Sequence, residues 1–312
     1  QTTTDAAAVN LDLTRLEGTN DISTINTVLG TNNTTVTLTD SEASTYGVST
    51  ATTGNTAITL VGLTVDLLDA TGSSDAITVN LNNTQANLAN VATVTTLTAN
   101  DIETITINAD SASTTTTALS DDVTVTTLAA DDITTLTITG DADFTITNAL
   151  GGATVPVDTV NASGATDAVN LTFGGSDITY TGGTGVDTLS FGTSLTSADT
   201  IDGGDGSDVV NATFNAGTVT PAAMTSVETF NATFSGGALN ASNLADLTTL
   251  VIANATASSV VSGLTATTTA VRQQATSNTP AVNLQYDAGS AATLAWSNTG
   301  ASGNIINAAT TV

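Results

Sequence analysis

The chain of 312 residues has no cysteine, no histidine and no lysine, and its only cationic side chains are Arg15 and Arg272. The first absence removes disulfides, iron–sulfur clusters and thiol chemistry. Without His, Lys or Cys there is also no ordinary base for a serine nucleophile, no Schiff-base amine and no lysine for a phosphate loop. A carboxylate pair, as in glycoside hydrolysis, is the one catalytic device left. Aromatics at 3 % leave almost no sugar platforms, so the chain is expected not to be an enzyme. A formal net charge of -27 offers nothing to neutralise phosphates, which argues against nucleic acid and anionic membrane as partners. The most apolar segment, AITLVGLTVDLL at 57 to 68, is short and contains Asp66, so no membrane span is expected. The sequence starts at Gln1 without an initiator Met, and is expected to be a processed product or a piece of a larger polypeptide.

Large apolar residues are scarce as well. Leu, Ile, Val and Phe make up about 23 % of the chain, close to the level below which a highly charged sequence stays disordered. A thick conventional core is therefore not expected. A thin solenoid can be filled by small and β-branched residues, because the coils above and below each strand complete its burial.

Repetition is the dominant positive signal. VTTLTANDIETITINAD at 94 to 110 and VTTLAADDITTLTITGD at 125 to 141 are an internal duplication, matching at 11 of 17 positions. A shorter strand-like unit recurs as ISTINT from Ile22, VDTVNA from Val157, VETFNA from Val227 and LTTLVI from Leu247. Its β-branched residues suit a pleated, half-buried surface. Gly-led turns recur at Gly18, Gly72 and Gly164, each with an Asp three residues on. That Asp can cap the turn through backbone N–H groups, or the turn can be a degenerate metal-binding one. Helical signals are confined to DSEAS at 40 to 44, AAMTSVE from Ala222 and ASNLADL from Ala241. Near the C-terminus VNLQY and TLAW flank DAGSAA as a hairpin would. The segment holding them, with the sole Trp at Trp296, reads either as a cap on the solenoid end or as a surface for a neighbouring subunit.

Two nonapeptides, GGTGVDTLS at 182 to 190 and GGDGSDVVN at 203 to 211, fit the pattern GGxGxDxUx. Six residues make a sharp glycine-rich turn carrying one carboxylate, and three make a short strand. Two such units form one coil, so matched turns stack about every 18 residues. The copies start 21 residues apart, leaving a three-residue insertion. Asp187 and Asp208 are thus expected to face one cation between them. A hard ion such as Ca2+ needs only oxygen ligands. The alternative is that these glycines and aspartates serve only to form tight turns.

The nonapeptides resemble the RTX, hemolysin-type calcium-binding repeat, and the Thr/Ala/Asn-rich, Lys-poor chain around them resembles RTX-containing bacterial surface-layer proteins. Phrases such as VDTVNASGATDAVNLTF from Val157 carry the second likeness. The resemblance implies Ca2+ as cofactor, held by Asp187 and Asp208 and by backbone carbonyls around Gly183, Gly185, Gly204 and Gly206, with Asp202 and Asp205 adding charge. It implies secretion, a place on the cell surface and calcium-driven self-assembly into a lattice or filament, with cell-surface polysaccharide as a further partner. The expected fold is all-β: an elongated parallel β-solenoid or β-roll with irregular insertions and a β-rich C-terminal cap. Its regions are expected to be 1–155, a Thr/Ala-rich β-repeat; 156–255, the β-roll with the calcium motifs; and 256–312, a C-terminal cap or assembly segment. The functional expectation is a structural subunit of a surface layer or extracellular filament. The alternative is an adhesin that binds glycan, a cell surface or ice, motivated by Thr-x-Thr pieces such as TVTLT at 35 to 39 and TLTIT at 135 to 139.

Overall fold

The computed structural model describes residues 2–3, 9–12, 23–29, 34–42, 44–50, 58–83, 92–111, 122–274, 282–287, 295–298 and 307–310. It is all-β, without a helix among the described residues, and divides into unit 1, Gln1–Thr172, and unit 2, Phe173–Val312. No helix among those residues is long and apolar enough to cross a membrane.

Unit 1 runs β1 (Thr2–Thr3), β2 (Val9–Asp12), β3 (Thr24–Leu29), β4 (Thr34–Ser41), β5 (Thr45–Thr50), β6 (Ile58–Leu67) and β7 (Ala76–Asn83). It continues with β8 (Ala92–Thr98), β9 (Thr104–Ser111), β10 (Val123–Ala129), β11 (Thr135–Gly140), β12 (Phe144–Leu150), β13 (Thr159–Ala165) and β14 (Val169–Phe173). Odd-numbered strands follow one another in one sheet and even-numbered strands in a second. Every pairing that links them in register is parallel. Each coil therefore gives one strand to each sheet, the arrangement of a parallel β-solenoid.

Alternation explains the strands. In β7 the sequence AITVNLNN buries Ile77, Val79 and Leu81 and leaves Thr78 and Asn80 partly exposed. Ile105 and Ile107 of β9 and Leu136 and Ile138 of β11 lie at the same inward positions. Each such buried side chain contributes roughly 2 kcal/mol. The internal duplication is one coil stacked on the next: Val94 pairs Val125, and Thr104 pairs Thr135.

Unit 2 comprises β15 (Thr179–Thr181), β16 (Thr188–Gly192), β17 (Thr200–Asp202), β18 (Val209–Phe214), β19 (Thr218–Val219), β20 (Ala223–Thr225) and β21 (Thr229–Phe234). It ends with β22 (Ala238–Asn240), β23 (Thr249–Ala255), β24 (Ser259–Leu264), β25 (Ala270–Gln273), β26 (Val282–Tyr286), β27 (Ala295–Asn298) and β28 (Asn307–Thr310). Its sheets are β15-β17-β20, β16-β18-β21-β23-β25-β27 and β19-β22-β24-β26-β28. The core here is aromatic. Phe214 stacks on Phe234 at 5.3 Å between centroids, and Phe173 lies 4.8 Å from Phe191. Such rings fill the thin interior that Ala and Val alone would leave open.

Three local expectations are corrected. Residues 40–41 close strand β4, and 223–225 and 238–240 are strands β20 and β22. The stretch 241–247 is turn, bridging β20 through Met224 and Leu244. Met224 N–H donates to Asn243 O at 3.1 Å and Ala245 N–H to Met224 O at 3.1 Å, so this turn covers the free edge of β20, a stronger draw than weak helix propensity. The C-terminal hairpin does not form either. β26 pairs in parallel with β24 and β28, and β27 with β25. A solenoid strand and a hairpin strand show the same alternation, and only the partner one coil away separates them. Finally, coils are longer than 18 residues. The register repeats after 21 residues from β16 to β18 and after 20 from β18 to β21.

Candidate metal centre

The two nonapeptides are stacked in register. Thr188 pairs Val209 and Leu189 pairs Val210, which brings turn 203–208 onto turn 182–187. The glycines permit the close approach. Gly204 has φ +90° and Gly206 φ +142°, a backbone region disfavoured for residues with a Cβ. A Cβ on either would also strike the carbonyl oxygen of Gly183 or Gly185 in the coil before. Asp205 N–H donates to the Gly183 carbonyl at 2.9 Å, and Gly182 N–H donates to the Asp202 carbonyl at 2.8 Å.

Both motif aspartates are buried, Asp187 at 0 % exposure and Asp208 at 1 %. They form part of a ladder. Tyr180 Oη donates to Asp187 Oδ2 at 2.6 Å, Asp187 N–H donates to Asp208 Oδ1 at 2.7 Å, and Asp208 N–H donates to Glu228 Oε2 at 2.8 Å. Asp208 Oδ2 is buried with no hydrogen-bond partner. Burial pushes the Asp208 carboxyl up to about 7; the hydrogen bond from Asp187 N–H opposes this, and the charges of Asp187, Glu228 and Asp202 add to it. The Tyr180 hydroxyl is likewise held above its ordinary value by burial and by the neighbouring Asp187 charge. A buried carboxylate oxygen without a donor is costly as an anion, and two further acids beside it raise that cost.

The other expected site residues have different surroundings. Asp202, half-buried at the end of β17, turns Oδ1 to Gly204 N–H at 3.3 Å. Asp205 is exposed. The Gly183 carbonyl is engaged by Asp205 N–H. Tyr180 and Glu228 belong to neither nonapeptide; the only sequence signal for Glu228 is its place in the strand-like unit VETFNA.

Carboxylates that accept N–H groups from adjacent turns recur elsewhere. Asp75 N–H donates to Glu103 at 2.7 Å, Ile178 N–H to Asp199 at 2.8 Å and Ser226 N–H to Asp246 at 2.8 Å. In the Gly72 turn, Gly72 N–H donates to Asp75 Oδ2 at 3.2 Å, so this Asp caps its turn. The Gly18 turn lies outside the described residues. Among the described residues, the one group of three acids with ligand atoms all within 4.8 Å is the exposed set Asp101, Asp131 and Asp132. It stacks the two copies of the duplicated turn, with Asp101 N–H donating to Asp131 Oδ1 at 3.2 Å.

No protein-family model, curated protein or solved structure matches this chain.

The residues present fit a hard cation. Asp208 Oδ2 lacks a partner, it lies with the Ser226 carbonyl against Gly203, where a Cβ would collide with both, and these nearby donors are carboxylate and carbonyl oxygens, which suit Ca2+.

Proposed function

We propose that this protein is a calcium-dependent structural subunit of a secreted assembly, a bacterial surface layer or extracellular filament. The observation that carries the reading is the unpartnered, buried oxygen of Asp208 within stacked glycine turns. A bound calcium ion would supply the positive charge that this group of acids lacks. Asp208, with Asp187 and Glu228 on either side of it, would hold that charge where three successive coils meet, so that metal binding and folding of 182–228 are coupled. The RTX-like pattern GGxGxD and the surface-layer-like composition support the same reading.

Assembly follows from charge. Subunits each near -27 repel one another, and monovalent salt screens distant charges over about 8 Å without bridging carboxylates in contact. A divalent ion does both. Purified protein examined by electron microscopy and sedimentation is expected to form sheets or filaments in millimolar Ca2+ and to dissociate in chelator. NaCl at equal ionic strength should not replace calcium. A protein that stays monomeric across calcium and protein concentrations would overturn the assembly reading.

A second reading, an adhesin for ice or a neutral polysaccharide, is favoured by one feature of unit 1. Thr24, Thr45, Thr78, Thr106 and Thr137 occupy paired positions on successive strands of the odd-numbered sheet. The column continues into Asn161. Alternate residues on a strand share a face, so these threonines form an ordered, uncharged row on a strongly acidic protein.

A further inference from the structure

The stacked turns present two similar oxygen pairs, and they differ in whether a hydroxyl serves them. Beside Gly182, the Gly203 carbonyl and Asp187 Oδ2 crowd the space a Cβ would take, the carboxylate oxygen at 2.7 Å from it. Tyr180 Oη donates to that same Asp187 oxygen. One coil on, beside Gly203, the Ser226 carbonyl and Asp208 Oδ2 crowd the equivalent space, the carboxylate oxygen at 2.5 Å. There Asp208 Oδ2 has no hydrogen-bond partner, while Oδ1 is already committed to Asp187 N–H. The third coil also brings a second acid to Asp208, because Glu228 Oε2 accepts Asp208 N–H at 2.8 Å.

We propose that the cation seat lies between turn 203–208 and residues 224–228, with Asp208 Oδ2, the Ser226 carbonyl and Glu228 as its protein oxygens, rather than between Asp187 and Asp208. The proposal rests on the calcium reading above and moves its site one coil along, onto a segment that lacks the glycine motif. Two carboxylates and a carbonyl are hard ligands, and calcium accepts water at its remaining positions. Ser226 N–H is tied to Asp246 Oδ2 at 2.8 Å, which fixes the peptide whose neighbour carries the ligand carbonyl. In the first interval the Tyr180 hydroxyl does for Asp187 what the ion does for Asp208.

The test is Ca2+ titration of the full chain by calorimetry and by thermal melting, with Mg2+ as the control ion. Glu228→Gln keeps an acceptor for Asp208 N–H and removes the charge, so it separates a metal ligand from a turn cap. Calcium affinity is expected to fall about tenfold or more in Glu228→Gln, the equivalent of 1.4 kcal/mol per factor of ten. Asp187→Asn, which removes a neighbouring charge and no ligand oxygen, should lower it by less than Glu228→Gln does, and Asp208→Asn should abolish it. Glu228→Asp, which keeps the charge, should bind more tightly than Glu228→Gln even if both fold less well in chelator. Loss of binding in Asp187→Asn with wild-type affinity in Glu228→Gln would return the seat to the first interval and overturn the proposal. If Asp208→Asn also binds like wild type, the calcium reading itself fails and takes this site with it.

Discussion

Asp208→Asn should stabilise the calcium-free protein at pH 8 and weaken its response to calcium. The carboxyl sits at about 7 in the folded chain, against roughly 3.9 for an exposed aspartate. The folded state therefore holds a proton that the unfolded state has released between about pH 4 and pH 7. Stability from this group is fully present below the lower value and is lost as pH rises through the upper one. A tenfold difference in proton affinity between the two states corresponds to about 1.4 kcal/mol, which sets a ceiling near 4 kcal/mol for the cost at pH 8. Water reaches the turn through exposed Asp205, Gly206 and Ser207 and screens part of that cost, so roughly 2 kcal/mol is expected. Asn keeps an oxygen for the Asp187 N–H and carries no charge. Urea unfolding in chelator, followed by circular dichroism and by amide exchange across 182–228, should show Asp208→Asn level with wild type near pH 4. It should then be more stable by roughly 2 kcal/mol at pH 8. In millimolar Ca2+ the order should reverse, because only the wild type gains. A variant that is less stable than wild type by the same amount at both pH values would refute the reasoning, since the carboxylate would then be a satisfied anion.

Two further perturbations probe the stacked turns and the threonine row. Gly204→Ala and Gly206→Ala combine positive φ with a collision against a carbonyl of the preceding coil, and each should cost about 1 to 3 kcal/mol in denaturant unfolding. Gly175→Ala meets nothing within 4 Å and should be neutral, so equal effects at all three would dissociate the glycines from the stacking. Against the second functional reading, wild-type protein is expected to pass unretained over growing ice, because the threonine column gives way to Asn161 and the register shifts between Thr137 and Thr139. Retention that Thr106→Tyr abolishes would put the adhesin ahead of the structural subunit.

Much of the fold was legible because a solenoid writes its register into the sequence as repetition. The 31-residue offset of VTTLTANDIETITINAD and its copy is the length of one coil, and Val94 over Val125 is its direct consequence. The 21-residue offset of the nonapeptides likewise became Thr188 over Val209. Partner choice was harder. VNLQY and TLAW carry the alternation of any half-buried strand, and nothing local says that Val282 will meet Ser259 rather than turn back on its neighbour. ASNLADL offered a capped helical turn, yet Asn243 and Leu244 are engaged against β20, an edge whose need for cover arises only once the third sheet has replaced the first.

The site was legible in its turns and not in its bookkeeping of lone pairs. GGxGxD marks where the chain bends and where a carboxylate enters, and both aspartates are buried at those bends. Which carboxylate oxygen is left over depends on groups outside the pattern. Tyr180, seven residues before Asp187, consumes one oxygen in the first interval, and Asp187 N–H consumes one oxygen of Asp208. Glu228 enters from 20 residues beyond Asp208 because β21 stacks on β18 in that register, Val209 over Thr229. A motif repeated twice suggests one shared ion between its copies. The hydrogen bonds instead make the copies inequivalent, since the first coil brings a hydroxyl and the third brings a second acid. Charge then accumulates toward the third coil, and it is there that neutral pH demands either a proton or a cation.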